Sequence, residues 1–294
     1  MRIVRAQVMG FCFGVRDALA TTDTIADPEQ VAILGELVHN EQVLHQLERR
    51  GFRSVGEKQR EVLPESPEVL ITAHGISDFR RDRLLAAGKI LHDTTCPLVR
   101  NVHRAAQRLA AEGRHVILIG KPDHVEVLGI VEDLNSYSVF VRPEDVIATG
   151  FPRLGILCQS TTSPTVADAV RRQIVAMHPA ADLRFLDTIC QPTKDRQQAV
   201  LDLLPEIDVL VVIGGARSNN CRALAELARR RGVKSLHVQS AADLQRESFG
   251  ADDCVGVTAG TSTPDDVIET VIARLQAWST TDDSFPLSAS ESMT

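Results

Sequence analysis

Apolar residues cluster into short runs along the chain, and each run ends in a small polar loop that a helix-like pattern follows. Six such runs, with their polar ends, occur at 31–40, 69–77, 115–126, 154–164, 209–220 and 254–264. Strands that alternate with helices are typical of parallel sheets. The pattern therefore predicts an α/β protein with parallel-rich sheets.

The loops after these runs are rich in side chains that donate hydrogen bonds. In parallel sheets, ligands bind at the carboxyl ends of the strands, beside helix N-termini. Several such loops that face one point would form an anion site of the kind a diphosphate needs. For any single Ser, Thr or Asn, capping a helix is the simpler interpretation, so the hypothesis depends on the set. Its members are His39, Asn40, His74, His124, Glu126, Ser160, Thr161, Ser218, Asn219, Asn220, Ser262 and Thr263.

Three of the six cysteines lie in distinctive contexts. Cys12 lies in GFCFGV, whereas Cys96 and Cys190 end two copies of the pattern Asp-Thr-x-Cys. The three are 84 and 94 residues apart, which indicates an internal repeat of about 90 residues. A buried structural role is the simpler interpretation for one cysteine, but the repeated pattern argues against it here. Cys158 and Cys221, which lie beside polar loops, stay open as further candidates.

The repeat divides the chain into three α/β units. We predict these units at 14–96, 97–189 and 190–278, with the N-terminal strand at 1–13 as a candidate member of the third. The polar segment 279–294 is predicted to be a disordered tail. Each unit then holds two of the apolar runs and lies beside one cysteine segment.

Three thiolates from distant parts of the chain suit a metal centre. A [4Fe–4S] cluster normally takes four cysteines. With three, the fourth iron is open and can act as a Lewis acid towards a substrate oxygen. Ligands drawn from separate units favour a catalytic centre over a ferredoxin-type carrier, whose ligands are close in sequence. His124 and Glu126 could supply protons beside it, although a surface salt bridge would explain that pair equally well.

Composition restricts the function further. The 294 residues carry 32 basic and 39 acidic side chains, a formal charge of −7 at pH 7, which argues against a protein built mainly to bind nucleic acid. Apolar residues make up 44% of the chain, enough for a buried core. No run approaches the roughly 20 apolar residues of a membrane span, and the N-terminus has no signal-peptide pattern. We therefore expect a cytoplasmic protein whose thiols stay reduced.

These segments resemble the 4-hydroxy-3-methylbut-2-enyl diphosphate reductase family, also called IspH or LytB, of the non-mevalonate isoprenoid pathway. The resemblance extends from Met1 to about Trp278. The motifs that carry it, in the family's order, are GFCFGV, LVHN, AHGIS, DTTCPLV, DHVEVLG, DTICQPT, RSNN and VTAGTSTP. It implies three α/β units in a pseudo-threefold arrangement around a central iron–sulfur cluster.

The resemblance also implies roles for individual residues. Glu126 matches the acid that supplies protons, with His124 and Ser160 as its catalytic neighbours. The positions that match the ligands of a [4Fe–4S] cluster with an open fourth iron are Cys12, Cys96 and Cys190. The positions that match substrate-binding residues, mostly at the diphosphate, are His39, His74, His124, Ser160, Thr161, Ser218, Asn219, Asn220 and Ser262.

The implied reaction is the reductive dehydroxylation of (E)-4-hydroxy-3-methylbut-2-enyl diphosphate, whose allylic hydroxyl binds the open iron. Two electrons arrive one at a time and the protonated oxygen leaves as water. Protonation of the resulting allyl species at either of two carbons gives isopentenyl or dimethylallyl diphosphate. Ferredoxin or flavodoxin is the implied electron donor, and neither nucleic acid nor a membrane is an expected partner.

One departure from the family pattern concerns the residue that helps to hold the hydroxyl. The usual Gln-Thr-Thr is Gln159-Ser160-Thr161 in this chain. An ungapped count from Cys190 puts Ser160 at the first threonine, and a one-residue slip would put Thr161 there. Serine keeps the hydroxyl but lacks the methyl group that restricts the rotamer.

A second departure lies in the loop RSNN. Asn219 replaces the usual Ser or Gly, where it could add a donor or crowd the diphosphate, and Cys221 replaces the usual Ser or Thr. Two alternatives therefore stay open. One is a paralogue that reduces a related allylic diphosphate. The other is a non-catalytic iron–sulfur carrier or sensor in which Cys158 or Cys221 closes the fourth iron.

Overall fold

The structure is a computed structural model that describes residues 1–281. Within this range the strands form three four-stranded sheets, and every pair of neighbouring strands is parallel. The predicted α/β class with parallel sheets is therefore confirmed.

The chain begins with a strand and a helix that precede the first sheet. These are β1 (Arg2–Arg5) and α1 (Phe13–Asp23). The first sheet has the order β3-β2-β4-β5. Its elements are β2 (Val31–Leu34), α2 (Glu41–Arg49), β3 (Arg53–Val55), β4 (Glu68–Ile71), α3 (Asp78–Ala86) and β5 (Ile90–Asp93).

The second and third sheets repeat this plan after connecting helices. The next elements are α4 (Pro97–Ala111), β6 (His115–Ile119), α5 (Val125–Val131), β7 (Tyr137–Phe140), β8 (Arg153–Cys158), α6 (Pro164–Met177) and β9 (Asp182–Phe185). The last are α7 (Gln191–Leu203), β10 (Val209–Ile213), α8 (Asn219–Arg230), β11 (Lys234–Val238), β12 (Cys254–Ala259) and α9 (Asp265–Thr281). The second sheet has the order β7-β6-β8-β9 and the third β11-β10-β12-β1.

The strand order is thus the same in all three sheets, with the N-terminal strand β1 in the fourth place of the third sheet. Strand β1 pairs with β12 in register Arg2↔Cys254 to Arg5↔Val257. The chain therefore closes on itself, because its first strand completes the sheet that its last strand belongs to. The unit boundaries at residues 14–96, 97–189 and 190–278 stay predictions.

The six apolar runs form the two central strands of each sheet. Every residue of β6 and of β10 is buried, with helices on both faces of the sheet. Burial of each Val, Leu or Ile side chain stabilises the fold by about 1.5–3 kcal/mol. The outer strands contain fewer apolar residues and are partly exposed, as in β3 with the sequence RSV.

The C-terminal prediction needs one correction. The tail was expected to begin at residue 279, but α9 extends through Thr281, and the tail positions from 282 onwards lie outside the described residues. Among the helices of residues 1–281, none is long and apolar enough to cross a membrane.

Candidate active site

Each cysteine of the predicted trio lies between an outer strand and a helix. Cys12 follows β1, Cys96 follows β5 and Cys190 follows β9. Each is the N-cap of the next helix, respectively α1, α4 and α7. The first N–H groups of a helix have no partner inside it and carry partial positive charge. The three sulfurs therefore lie at helix ends that favour bound anions and thiolates.

The backbone of each cysteine is hydrogen-bonded to a loop of the neighbouring strand. The cysteine N–H donates to a carbonyl oxygen at 2.9–3.1 Å in all three units. The pairs are Cys12 with Thr261, Cys96 with Ala73, and Cys190 with Ser160. The residue after each acceptor is a predicted substrate-binding residue, respectively Ser262, His74 and Thr161. One hydrogen bond per unit thus fixes a cysteine beside a loop that carries polar site residues.

The aspartate of Asp-Thr-x-Cys holds the cysteine loop to the helix that follows. Asp93 forms an ion pair with Arg100 of α4 at 2.9 Å, and Asp187 forms one with Lys194 of α7 at 2.7 Å. Both aspartates also accept a backbone N–H two residues further on, at 3.0 and 3.2 Å. The repeated pattern is therefore a turn that orients the cysteine.

All thirteen predicted site residues line one cavity of about 90 Å³. They come from all three sheets and meet where the helix N-termini converge. The predicted cluster ligands and catalytic residues among them are Cys12, Cys96, Cys190, His124, Glu126 and Ser160. Those in the polar loops are His39, His74, Thr161, Ser218, Asn219, Asn220 and Ser262. The structure brings the set together; the role of each residue stays a prediction.

Among the described residues, the three cysteine sulfurs are not grouped tightly enough to share a single metal ion. Among the described groups of three or more ligand atoms within 4.8 Å of one another, the cysteine trio does not occur. One metal ion with thiolate bonds of about 2.3 Å would need the sulfurs within about 4 Å. Burial raises the pKa of Cys96 and raises that of Cys190 to about 11, and the charge of Cys12 adds to both shifts.

The first turn of α1 packs directly against Cys96. A Cβ atom added to Gly14 would lie 2.5 Å from the Cys96 sulfur. Only glycine therefore leaves room for this sulfur beside the helix end. Three cysteines that cap helix N-termini and line one cavity fit an iron–sulfur cluster with three cysteine ligands.

Glu126 and Ser160 form a buried hydrogen-bonded pair in the cavity. One oxygen of the Glu126 carboxylate accepts the Ser160 N–H at 2.7 Å, and the other accepts the Ser160 hydroxyl at 2.8 Å. Glu126 is only 1% exposed, and burial raises its pKa although the hydrogen bonds from Ser160 oppose the shift. A carboxyl group with a raised pKa holds a proton more readily near neutral pH. By contrast, the hydroxyl of Thr161 accepts a hydrogen bond from Asn219 at 3.1 Å.

Three histidines form a compact group in the cavity. The ring centroids lie 4.3 Å apart for His39 and His74, 5.3 Å for His39 and His124, and 5.6 Å for His74 and His124. Burial lowers the pKa of His74 well below its ordinary value and that of His124 to about 3, and the charge of His39 adds to both shifts. These two rings are therefore neutral near pH 7 in the free protein.

Glu36 is a residue of the site that the sequence analysis missed. Its carboxylate lies 2.9 Å from Nδ1 of His39 and forms an ion pair with Arg217 of the loop before α8. The Glu36 N–H donates to Glu57 at 2.8 Å. The sequence feature that could have indicated this residue is a glutamate three positions before a histidine in the run GELVHN. Glu36 orients the His39 ring and links the first sheet to the third.

Several polar atoms of the site have no partner within the described chain. Asn220 is 2% exposed, yet neither its Nδ2 nor its Oδ1 is hydrogen-bonded, and the buried Nδ1 atom of His74 is also unpaired. Beside them, Ser218 caps α8 by accepting the Cys221 N–H at 3.3 Å. Buried polar groups without partners cost free energy, so these atoms are suited to bind a polar ligand.

Two further cysteines lie outside the cavity. Cys158 and Cys221 are fully buried in the apolar cores of the second and third sheets. Cys221 lies against Gly214 and Gly260, and its sulfur is 3.7 Å from the carbonyl oxygen of Ile213. Neither lines the cavity that contains Cys12, Cys96 and Cys190, so the carrier or sensor alternative lacks its fourth ligand.

The comparison with protein families agrees with this geometry. Residues 3–276 match the family model described as LytB protein. The chain belongs to the LytB family. The match includes all thirteen predicted site residues and ends shortly before the end of α9.

Relatives in the LytB family are similar over almost the whole chain. The 4-hydroxy-3-methylbut-2-enyl diphosphate reductase of Aquifex aeolicus (strain VF5) is 35% identical over 282 residues, with 93% of this chain and 96% of the relative covered. The reductase of the same name from Anaeromyxobacter sp. (strain Fw109-5) is 33% identical over 279 residues, with 94% and 97% covered.

Two solved structures are similar in fold. The E-1-hydroxy-2-methyl-but-2-enyl-4-diphosphate reductase from Plasmodium falciparum has a TM-score of 0.86 and 27% identity, covering 94% of this chain and 88% of that one. A structure of (E)-4-hydroxy-3-methyl-but-2-enyl diphosphate reductase, described as the terminal enzyme of the non-mevalonate pathway, has a TM-score of 0.64 and 33% identity, covering 94% and 100%. The α/β architecture is thus that of the LytB family.

The neutral state of His124 leads to a prediction about stability and pH. Because its pKa is about 3 in the folded chain and about 6.5 when unfolded, the unfolded chain takes up a proton that the folded chain does not. His124 therefore lowers the free energy of unfolding as the pH falls below about 6.5. Between pH 7 and 5 we expect a loss of about 2 kcal/mol from His124. Urea unfolding of the metal-free wild type and of His124→Asn at both pH values measures this loss. Asparagine keeps an acceptor at the N-cap of α5. Equal losses in the two proteins would contradict the prediction.

Proposed function

We propose that this chain reduces (E)-4-hydroxy-3-methylbut-2-enyl diphosphate to isopentenyl and dimethylallyl diphosphates, as the names of its relatives suggest. The observation that carries the proposal is the cavity that three cysteines, the buried carboxyl–hydroxyl pair of Glu126 and Ser160, and unpaired polar side chains share. A reduction of this kind needs an electron-transferring centre, a proton donor and a diphosphate site within reach of one small molecule. The cavity contains candidates for all three.

Cys12, Cys96 and Cys190 would hold a [4Fe–4S] cluster whose fourth iron has no protein ligand. When bound, such a cluster supplies single electrons and a Lewis-acidic iron towards a substrate oxygen. The chain's own contribution is electrostatic, because the N-termini of α1, α4 and α7 stabilise negative charge at the three sulfurs. The hydrogen bonds from the cysteine N–H groups keep these sulfurs in fixed register with the polar loops.

The polar loops would bind the diphosphate. Asn220 and His74 offer buried groups that are unpaired in the free protein, and a diphosphate oxygen would give each a partner. Ser218 and Ser262 lie at the same end of the cavity, at the helix α8 terminus and beside the His39 carbonyl. Hydrogen bonds to a charged group contribute about 1.5–3 kcal/mol each, so a few of them suffice to orient the substrate.

Glu126 and Ser160 would move protons at the hydroxyl that leaves. The overall change is R–OH + 2 e⁻ + 2 H⁺ → R–H + H₂O, so each turnover consumes two protons and two electrons. Glu126 holds a proton because burial raises its pKa, and the Ser160 hydroxyl at 2.8 Å can relay it to the substrate oxygen. His124 lies at the start of the same helix, where its Nδ1 accepts the Glu126 N–H at 3.1 Å. Ferredoxin or flavodoxin would supply the electrons.

The departures from the family pattern leave this proposal intact. The Asn219 side chain is engaged by Thr161 on the second sheet, which favours a linking role over crowding of the diphosphate. Cys221 packs in the core of the third sheet and does not line the cavity. Neither difference gives specific support to a paralogue with another substrate.

The contacts of Ser160 predict that its hydroxyl, and not that of Thr161, replaces the family's threonine that helps to hold the substrate hydroxyl. We expect Ser160→Ala to lower turnover roughly 10- to 100-fold, because it removes a hydrogen bond to a buried carboxyl group. Ser160→Thr should retain most activity, and Thr161→Val should have the smaller effect. Steady-state kinetics with a chemical reductant measure all three. A larger loss for Thr161→Val than for Ser160→Ala would reverse the assignment.

An anaerobic assay tests the function itself. The enzyme is purified with its cluster, supplied with dithionite and methyl viologen, and given (E)-4-hydroxy-3-methylbut-2-enyl diphosphate. We expect both five-carbon diphosphates, identified by mass spectrometry and chromatography after dephosphorylation. A hydroxylated ten-carbon allylic diphosphate serves as the comparison. Faster turnover of the longer substrate, or the absence of both products, would contradict the proposal.

A further inference from the structure

One exposed surface beside the cluster ligands carries a concentration of positive charge. Helix α4 begins at Cys96, and Arg100, Arg104 and Arg108 follow at intervals of four residues, on one face of the helix. At a rise of about 1.5 Å per residue, they span about 12 Å. The helix Pro97–Ala111 contains no Asp or Glu. We call these three residues the α4 arginine surface.

Two of these arginines are free to meet a partner. Arg104 and Arg108 are exposed, and neither side chain forms a hydrogen bond or an ion pair with any described residue between 1 and 281. Arg100 is 42% exposed and is paired with Asp93. Arg108 lies in the last turn of α4, where the helix dipole favours a cation, whereas Arg104 lies in the middle of the helix and the dipole does not explain it. The charge stands out further because the whole chain carries −7.

A cleft beside this surface extends to the residue that precedes the predicted cluster ligand Cys96. It has a volume of about 320 Å³ and lies between α3 and α4. Arg81, Arg100, Arg104 and His103 line it, whereas its one acidic lining residue, Asp78, accepts a hydrogen bond from Gln107. Thr95 also lines the cleft, and Thr95 is covalently bonded to Cys96. A molecule seated here is therefore separated from a predicted cluster ligand by a single residue.

We propose that the α4 arginine surface and its cleft bind an acidic one-electron carrier protein. The proposal rests on the proposed function, since the reaction consumes two electrons that must come from outside the chain. Each docking event oxidises one reduced carrier by one electron and reduces the enzyme by one. Two events, with two protons, convert R–OH into R–H and water. Electrons enter through Thr95 and Cys96, on the α3–α4 side, while the substrate binds among the polar loops.

Charge complementarity favours an acidic protein over other anionic partners. Exposed arginines without partners attract an acidic surface at long range and speed its association, an effect that salt weakens. A stripe of about 12 Å that carries three arginines would contact only a few phosphates, which is short for a nucleic acid.

The test compares two double charge reversals in the cluster-loaded enzyme. The first is Arg104→Glu with Arg108→Glu. The matched control is Arg49→Glu with Arg53→Glu, two exposed arginines at the β2–β3 side of the first sheet, opposite the β5 edge from which α4 starts. An acidic plant-type ferredoxin and an acidic flavodoxin are the probes. Binding is measured by calorimetry at two salt concentrations, and turnover is measured with each reduced carrier and with dithionite and methyl viologen.

We expect the first variant to bind a carrier at least tenfold more weakly at low salt and to lose carrier-driven turnover in proportion. Turnover with dithionite and viologen should stay within twofold of wild type, and the control should resemble wild type throughout. Equal carrier binding by the first variant and wild type would overturn the proposal, as would an equal loss in the control. So would a DNA duplex that competes with the carrier at the same affinity. If dithionite-driven turnover is absent from all proteins, the proposed function fails while the binding comparison still decides the docking surface.

Discussion

Glu126→Gln is expected to lower turnover at least about 100-fold, the effect typical of losing a general acid, while the cluster stays bound. Glutamine fills the same space and its amide oxygen can still accept the Ser160 N–H, now 2.7 Å from the carboxylate. It carries no acidic proton, so the Ser160 hydroxyl loses the group that supplies it. Anaerobic kinetics with dithionite give the turnover, and iron content and visible absorbance show that the cluster remains.

A matched control separates proton transfer from general effects of losing a carboxylate. Glu206→Gln changes an exposed glutamate in the 3₁₀ turn that follows α7 and should leave turnover unchanged. If Glu126→Gln turned over within threefold of wild type, Glu126 would have no part in proton delivery. A lost cluster in Glu126→Gln would instead give Glu126 a structural role, because the carboxylate would then be needed to hold the second sheet's loop in place.

Cys96→Ser is expected to remove the cluster and with it all turnover. Serine preserves the size of the side chain and the backbone hydrogen bond from residue 96 to Ala73 at 3.1 Å. Its hydroxyl stays protonated near neutral pH, whereas a cluster ligand must be a thiolate. Iron and sulfide analysis and the visible spectrum measure the cluster after anaerobic reconstitution.

Cys158→Ala is the control for this substitution. Cys158 is 0% exposed in the core of the second sheet and does not line the cavity. The variant should keep the full cluster and full turnover, at a modest cost in stability of about 1 kcal/mol for the lost packing. Full iron content in Cys96→Ser, or lost iron in Cys158→Ala, would contradict the proposed ligand set.

The central strands could be predicted from the sequence, but the outer strands mostly could not. Burial on both faces gives β6 and β10 unbroken apolar sequences, which stand out in any part of the chain. An outer strand such as β9, with the sequence DLRF, is partly exposed, and its sequence is equally typical of a polar loop. Its place depends on backbone hydrogen bonds to β8, and these leave no pattern in the side chains.

The site residues could be predicted as a set, but their contacts could not. The spacing of the cysteines and the donor-rich loops pointed to thirteen residues that line one cavity. Whether Ser160 or Thr161 contacts Glu126 depended on where the end of β8 sits relative to α5, which the local sequence leaves open. The partnership of Glu36 with Arg217 joins residues 181 positions apart and has no local signature.

The sequence by itself determined which chemical groups the protein carries and in which local elements they lie: three cysteines at helix starts, polar loops at strand ends, and a repeat of about 90 residues. These features are local, because capping, periodicity and strand burial act over a few residues. Only the tertiary structure decided that the three cysteine loops meet, and that Ser160 bonds to Glu126 while Thr161 bonds to Asn219. Distances between separate sheets follow from how β1 closes the third sheet and how the helices pack, and those contacts form only when the whole chain has folded.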